Sequence, residues 1–241
     1  MKFARDRRRW LHWLFEAKKR YGICVLDYIV TSNHIHLLVH ETGSPNTISR
    51  SMQLIAGRTG QEFNQRKGRK GAFWEDRYHA TAVETGKHLR ECIVYIDMNM
   101  VRAGVVKHPR EWECSGYNEI QSPRQRYRLI DQVRLYAVSA ANQESFVERH
   151  SSWIEEAVRF ERHQRESRWT LSVGVGSKGF IERLKIKLGY LVKRRESIGK
   201  EDAFELRDRV SVYDTNLPPE NDALRLWNMY FGNDIFDFPR G

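Results

Sequence analysis

The stretch Thr31-Ser32-Asn33-His34-Ile35-His36-Leu37-Leu38-Val39-His40 decides how the first half of the chain is read. A second apolar run, Ile23-Cys24-Val25-Leu26-Asp27-Tyr28-Ile29-Val30, precedes it, and Ser32-Asn33 supplies the tight turn between the two. β-Branched and aromatic runs divided by turn residues predict a hairpin. Side chains two apart on a strand share a face, so His34 and His36 project together, with His40 on the same parity further along.

Elements alternate outward from this hairpin. Ala4 to Arg20 carries Trp10, Leu11, Leu14, Phe15 and Ala17 at helical spacing, and Gly22 stops it. A helix from Asn46 or Thr47 to about Gln65 follows the hairpin. After the basic loop Arg66-Lys67-Gly68-Arg69-Lys70-Gly71 come Phe73-Trp74-Glu75-Asp76-Arg77 and a short strand, Tyr78 to Val83. Leu89, Cys92, Ile93, Ile96 and Met100 then mark a helix that begins near Gly86 and terminates by Gly104. The order α, β, β, α, β, α predicts an α+β fold: a ferredoxin-like (RRM-like) antiparallel sheet with helices on one face, lacking its first strand.

The character changes after Pro123. Leu129 to Ala141, Glu144 to Arg168, Ser177 to Leu188 and Asp202 to Val210 favour helix, and the tail with Pro218-Pro219 is irregular. The expected division is therefore residues 1–122 and a mainly helical, basic region 123–241.

The 241 residues hold 41 Lys plus Arg against 31 Asp plus Glu, a net charge of +10. That excess favours a polyanionic partner over an acidic or neutral one, nucleic acid being the simplest. Cys24, Cys92 and Cys114 form no CxxC pair, which argues against a disulfide framework or thiolate zinc site and fits a reducing cytoplasm. No apolar run reaches bilayer length, and Met1-Lys2-Phe3-Ala4-Arg5-Asp6 leads into no signal-peptide core.

Two imidazoles on one strand face can bind a divalent cation and leave positions open for phosphate oxygens. Each can equally be a satisfied side chain on a half-buried strand. Tyr95 and Asn99, four apart in Tyr95-Ile96-Asp97-Met98-Asn99, share one helix face. Tyr95 can attack phosphorus if something polarises the phosphate, or can simply be a core tyrosine. Asn99 can add an oxygen ligand. Arg66, Lys67, Arg69, Lys70, Arg77 and Arg102 can follow a nucleic-acid backbone, and Trp74 and Tyr78 can stack on unpaired bases.

Taken together, these motifs resemble a known family. Asn33-His34-Ile35-His36-Leu37-Leu38-Val39 is similar to the His-hydrophobic-His motif of the single-tyrosine transposases. Tyr95-Ile96-Asp97-Met98-Asn99-Met100-Val101-Arg102-Ala103-Gly104 resembles their tyrosine helix, with Met100 where proline is usual. Phe73-Trp74-Glu75-Asp76-Arg77-Tyr78, Trp112 and Ser115-Gly116-Tyr117 also fit, and the nearest branch is the REP-associated tyrosine transposases. Family members begin with a strand ahead of the first helix, so the resemblance implies an N-terminally truncated catalytic domain. It further implies Mg²⁺ or Mn²⁺ held by His34, His36 and Asn99, with Tyr95 as nucleophile. The substrate would be single-stranded DNA beside a hairpin, cut through a 5′-phosphotyrosine and rejoined, by a cytoplasmic monomer or homodimer. Two alternatives stay open: a hairpin-binding protein without catalysis, and a metal-dependent nuclease that uses water.

Overall fold

A computed structural model describes the chain except residues 2, 43, 45, 75–77, 161–164, 190–194, 201–202, 209–227 and 232–241, with backbone alone at 200, 208 and 228–231. The first half runs α1 (Ala4–Tyr21), β1 (Cys24–Val30), β2 (Ile35–His40), α2 (Thr47–Lys67), β3 (His79–Val83), α3 (Lys87–Asp97), α4 (Asn99–Arg102) and, after a 3₁₀ turn at Pro109–Glu111, α5 (Tyr117–Gln121). The second half adds α6 (Gln132–Val138), α7 (Gln143–Arg159), α8 (Arg168–Leu171), β4 (Ser172–Gly176), α9 (Lys178–Leu188), β5 (Arg195–Lys200), β6 (Ala203–Asp208) and β7 (Asn228–Phe231).

The α+β class agrees with the sequence; the sheet is larger and more mixed than expected. Its seven strands lie in the order β1-β2-β7-β3-β4-β6-β5. β1 and β2 form the predicted antiparallel hairpin, with Ile29 opposite His36 and Cys24 opposite His40. Thr31 closes it: its N–H and its hydroxyl both donate to the His34 carbonyl, and its Oγ accepts the His34 N–H. In a ferredoxin-like order the slot between β2 and β3 belongs to the first strand. Here β7 occupies it, pairing His36 with Asn228 and Val39 with Phe231 on one side, and His79 with Asn228 and Ala82 with Phe231 on the other. Both pairings are parallel, so the sheet is mixed rather than antiparallel. The slot expected to stand empty beside the histidine strand is filled from the far end of the chain.

Helices cover both faces, not one. His36 meets Tyr95 of α3, ring centroids 5.5 Å apart, which assigns α3 to the histidine face. By strand alternation Ile35, Leu37 and Val39 point the other way, and all three are buried. α1 and α2 pack together to cover that side, contributing Trp10, Leu14, Met52 and Ile55 to the same core. Trp10, Leu14 and Ala17 recur at helical spacing and are fully buried. Gly22 ends α1 at φ 73, and its N–H caps the Lys18 carbonyl.

The second half is less helical than expected. Asp202 to Val210, read as helix, contains β6, in which Leu206 is fully buried and Phe204 packs against the same cluster. The inward pair is two apart, a strand period that a short window can also present as helical. Leu129 and Ile130 are likewise extended. Their N–H groups donate to buried Glu119 at 2.7 and 2.9 Å, and the Asp131 N–H donates to the Val25 carbonyl of β1. Residues on both sides of position 122 thus contribute to one sheet. The tail around Pro218-Pro219 lies outside the described residues.

Between sheet and helices sits a buried polar pair. His150 of α7 donates Nε2–H to Asp97 Oδ2 at 2.7 Å, while its Nδ1 accepts from Gln121 at 2.8 Å. Burial pulls the His150 pKa down to about 3 and pushes the Asp97 carboxyl well above its usual range. His150 is therefore folded as the neutral ring, whereas an unfolded histidine titrates near ~6.5. The stability that this difference supplies is complete above about pH 6.5 and is lost as pH falls toward 3. Asp27 and Asp97, buried carboxyls both pushed up, act in the opposite sense, so comparison of variants isolates the histidine. In urea unfolding at pH 7 and pH 4, His150→Gln should show a smaller acid loss than the parent. An unchanged loss would contradict this.

Gly116 is a second point of close packing. A Cβ there would collide with Asp27 Oδ1 and lie 3.1 Å from both Ile130 Cδ1 and the Tyr28 nitrogen. Gly116→Ala should destabilise the fold by about 1–3 kcal/mol, read as a lower urea midpoint at unchanged slope.

Candidate functional site

The hairpin and α3–α4 bring four of the expected residues together. Oδ1 of Asn99 lies 3.1 Å from His34 Nε2, and the His34 and His36 rings are 5.1 Å apart, edge to face. His36 in turn meets Tyr95. Asn33 fixes the other side of the His34 ring, its Oδ1 2.8 Å from Nδ1. His40 is on the same face but four residues along β2, roughly 13 Å away at ~3.3 Å per residue, and takes no part.

Tyr95 and Asn99 do not share one uninterrupted helix. α3 ends at Asp97 and α4 begins at Asn99, with Met98 as the joint. The Met98 backbone stays close to helical, φ −72 and ψ 0, and the bonds Met98 N–H to Val94 carbonyl and Arg102 N–H to Met98 carbonyl carry the turn across. One-turn spacing survives, so the two side chains reach neighbouring histidines. Gly104, at φ 66, ends the segment as expected.

Burial sets the protonation of the cluster. It lowers the pKa of His34 and, further, that of His36; Arg102 and Arg165 lower both, and the contact with Asn99 partly offsets the effect on His34. Both rings are therefore neutral at pH 7, the form that offers a lone pair to a metal. Two ligands at ~2.1 Å on adjacent corners of an octahedral cation lie about 3 Å apart. The 3.1 Å between His34 Nε2 and Asn99 Oδ1 matches that spacing, so this donor set fits a hard divalent ion. Among the described residues no group of three or more His, Cys, Asp or Glu side chains is placed to hold a metal. The candidate ligands are two imidazoles and an amide.

Tyr95 is 4% exposed. Burial raises its phenol pKa, and Arg102 and Arg165 pull it back. The Arg102 guanidinium lies 4.0 Å from the centre of the Tyr95 ring and donates to the Tyr95 carbonyl at 2.7 Å. Trp169, from the second half, sits with its ring centre 6.1 Å from that of Tyr95 and is fully buried. Arg168 stacks on Trp169 and pairs with Glu166 and, at 3.3 Å, with Glu91 of α3. The second half thus covers the tyrosine. Nothing local in the sequence around Trp169 signals this, because the contact depends on the chain returning after some seventy residues.

The remaining expected DNA contacts do not join the cluster. Arg66 pairs with Asp6 of α1 at 2.5 Å, and Lys67 lies over Phe3. Arg69 lies over Phe63 and donates to the Ala72 carbonyl, and Lys70 is exposed in the loop after α2. These belong to the α1–α2 side of the sheet. Trp74, expected to stack on bases, donates its indole N–H to the Ala56 carbonyl at 2.9 Å and packs edge-on against Phe73, which ties the loop to α2. Tyr78 is half-buried against the core, and Arg77 lies outside the described residues.

The hairpin thus presents two neutral imidazoles to a helical segment that bears tyrosine and asparagine, the grouping expected from the sequence. Residues 3–99 match the family model described as transposase, IS200-like, which supports kinship of this part of the chain with the single-tyrosine transposases. Proteins of that family act on DNA as transposases, a chemistry that typically uses a divalent metal. Neither curated proteins nor solved structures gave a match. Among the described residues no helix is long and apolar enough to cross a membrane.

Proposed function

We propose that this protein cleaves and rejoins single-stranded DNA beside hairpins, in the manner of the REP-associated branch, with Tyr95 as nucleophile. His34, His36 and Asn99 would hold Mg²⁺ or Mn²⁺. The observation that carries the proposal is the convergence of His34 with Asn99 and of His36 with Tyr95, from segments some sixty residues apart.

A bound divalent ion supplies charge withdrawal from the phosphate oxygens. The chain's own groups do the rest. His34 and His36 remain neutral because they are buried. Arg102 braces the Tyr95 ring, and its positive charge beside the phenol partly offsets the upward push that burial gives the phenol pKa, easing formation of the phenolate needed for attack. That oxygen, its proton released to water, forms a bond to phosphorus as the bond to the 3′ oxygen breaks; the 3′ oxygen takes a proton from water and leaves as a hydroxyl, and the 5′ side stays on Tyr95. Attack by another 3′-hydroxyl reverses the step and frees the tyrosine, so no external energy source is consumed. A protein that binds hairpins without cutting them is the second reading, favoured by the depth of Tyr95 beneath Trp169 and Arg102.

Incubation with hairpin-bearing single-stranded DNA and Mn²⁺ should give a covalent protein–DNA adduct. Tyr95→Phe should abolish both adduct and cleavage while retaining hairpin binding. Cleavage that persists in Tyr95→Phe would indicate water as nucleophile, and absence of cleavage by the parent would indicate the binding protein. Titration of Mn²⁺, followed by the electron paramagnetic resonance signal of the free ion, should show His36→Ala and Asn99→Ala each weakening binding at least about tenfold, since even outer ligand partners cost that much. Unaltered Mn²⁺ affinity in both variants would remove the metal assignment.

A further inference from the structure

The tyrosine helix has a second lined surface, beyond the histidine cluster. A cleft of about 480 Å³ opens between the N-terminal half of α3, the end of α6 and α7. Lys87, Arg90 and Arg149 line it, with Trp153 as its aromatic wall and Leu89 and Ile93 as apolar lining; no acidic side chain contributes. All three cations are exposed, and among the described residues none has a carboxylate partner. Arg149 donates only to the Ser145 carbonyl of its own helix, and Arg90 lies 5.8 Å from the centre of the Trp153 ring. Trp153 is half-buried, held edge-on by Phe146 and His150.

Arg90 and Trp153 also line a smaller cavity of about 90 Å³ that reaches Tyr95 and Arg102. The two spaces therefore adjoin along one flank of α3. Lys87 and Tyr95 are eight residues apart on that helix, about 12 Å at ~1.5 Å per residue. The glutamates of the smaller cavity include Glu91 and Glu166, which Arg168 already pairs. Unpaired positive charge thus accumulates toward the larger cleft.

We infer that this cleft holds a nucleotide of the single-stranded DNA that flanks the phosphate at Tyr95. The base lies on Trp153, and Lys87, Arg90 and Arg149 meet the backbone. This rests on the strand-transfer reading of Tyr95. The volume falls within the roughly 300–1,000 Å³ of small-ligand sites. Cations without acids select a polyanion, and an aromatic wall beside apolar lining selects a ligand with an exposed flat face. An unpaired base offers that face; a base inside a duplex does not.

The test uses the full chain carrying Tyr95→Phe, so that cleavage cannot alter the readout, and a fluorescein-labelled oligothymidylate as probe in anisotropy titrations over a salt series. Adding Lys87→Gln/Arg149→Gln should weaken binding about tenfold near 0.1 M salt and flatten the log–log salt dependence by about 1.4, at ~0.7 per cation on single strands. Adding Trp153→Leu should weaken binding by about tenfold while leaving that slope unchanged, as loss of stacking requires. Lys19→Gln/Arg20→Gln on α1, across the sheet, makes the same change in net charge and should leave the slope unchanged. An equal effect from the α1 pair, or the same slope change with a blunt duplex probe, would overturn the inference. So would an unchanged slope in Lys87→Gln/Arg149→Gln. If the cleft variants behave as expected but the parent forms no adduct, the nucleotide site stands and the strand-transfer reading alone fails.

Discussion

The arrangement depends on β2 being paired along both edges. A strand in the middle of a sheet has its backbone donors and acceptors committed on each side, and so cannot slip by one residue without losing them all. A slip would turn His34 and His36 toward α1 and α2 and bring Ile35 and Leu37 to the tyrosine helix. β1 holds one edge through the hairpin, with Thr31 fixing the His34 backbone at its mouth. β7 holds the other. The imidazoles face α3 because both pairings agree on the same register.

The tyrosine helix is located just as firmly, and mainly by the second half of the chain. His150 reaches from α7 to Asp97, two residues beyond Tyr95, and Trp169 and Arg168 press on the opposite flank of the same turn. A buried pair of this kind costs stability if either partner is removed, because the survivor is left desolvated without its bond. The helical region that looks like an appendage in sequence is thus part of what locates the proposed nucleophile.

Much of the first half was legible because local rules and tertiary demands coincide there. The period of Trp10, Leu14 and Ala17, the turn at Ser32-Asn33, the parity of His34 and His36 and the stop at Gly104 all need only near neighbours. The proximity of Tyr95 and Asn99 was legible for the same reason, although the joint at Met98 was not. What sequence could not supply were contacts made by return of the chain: Trp169 over Tyr95, β6 beside β4, β7 between β2 and β3. The bond from Trp74 to Ala56 was not legible either, because an aromatic beside a basic loop looks the same whether its indole N–H faces solvent or a carbonyl. Placing helices on both faces needed to know which side α3 chooses, and helical spacing alone says nothing of that.

The identity of the strand beside β2 also sets a clock. His36 pairs with Asn228, so about 190 further residues must be synthesised after the hairpin before that edge can close. At ~5–20 residues per second this is roughly ten to forty seconds. Throughout that interval the histidine strand offers a row of open donors and acceptors to any neighbouring chain. Until β7 is made, one edge of the strand that carries His36 is without its partner, so the register that orients the imidazoles rests on β1 alone.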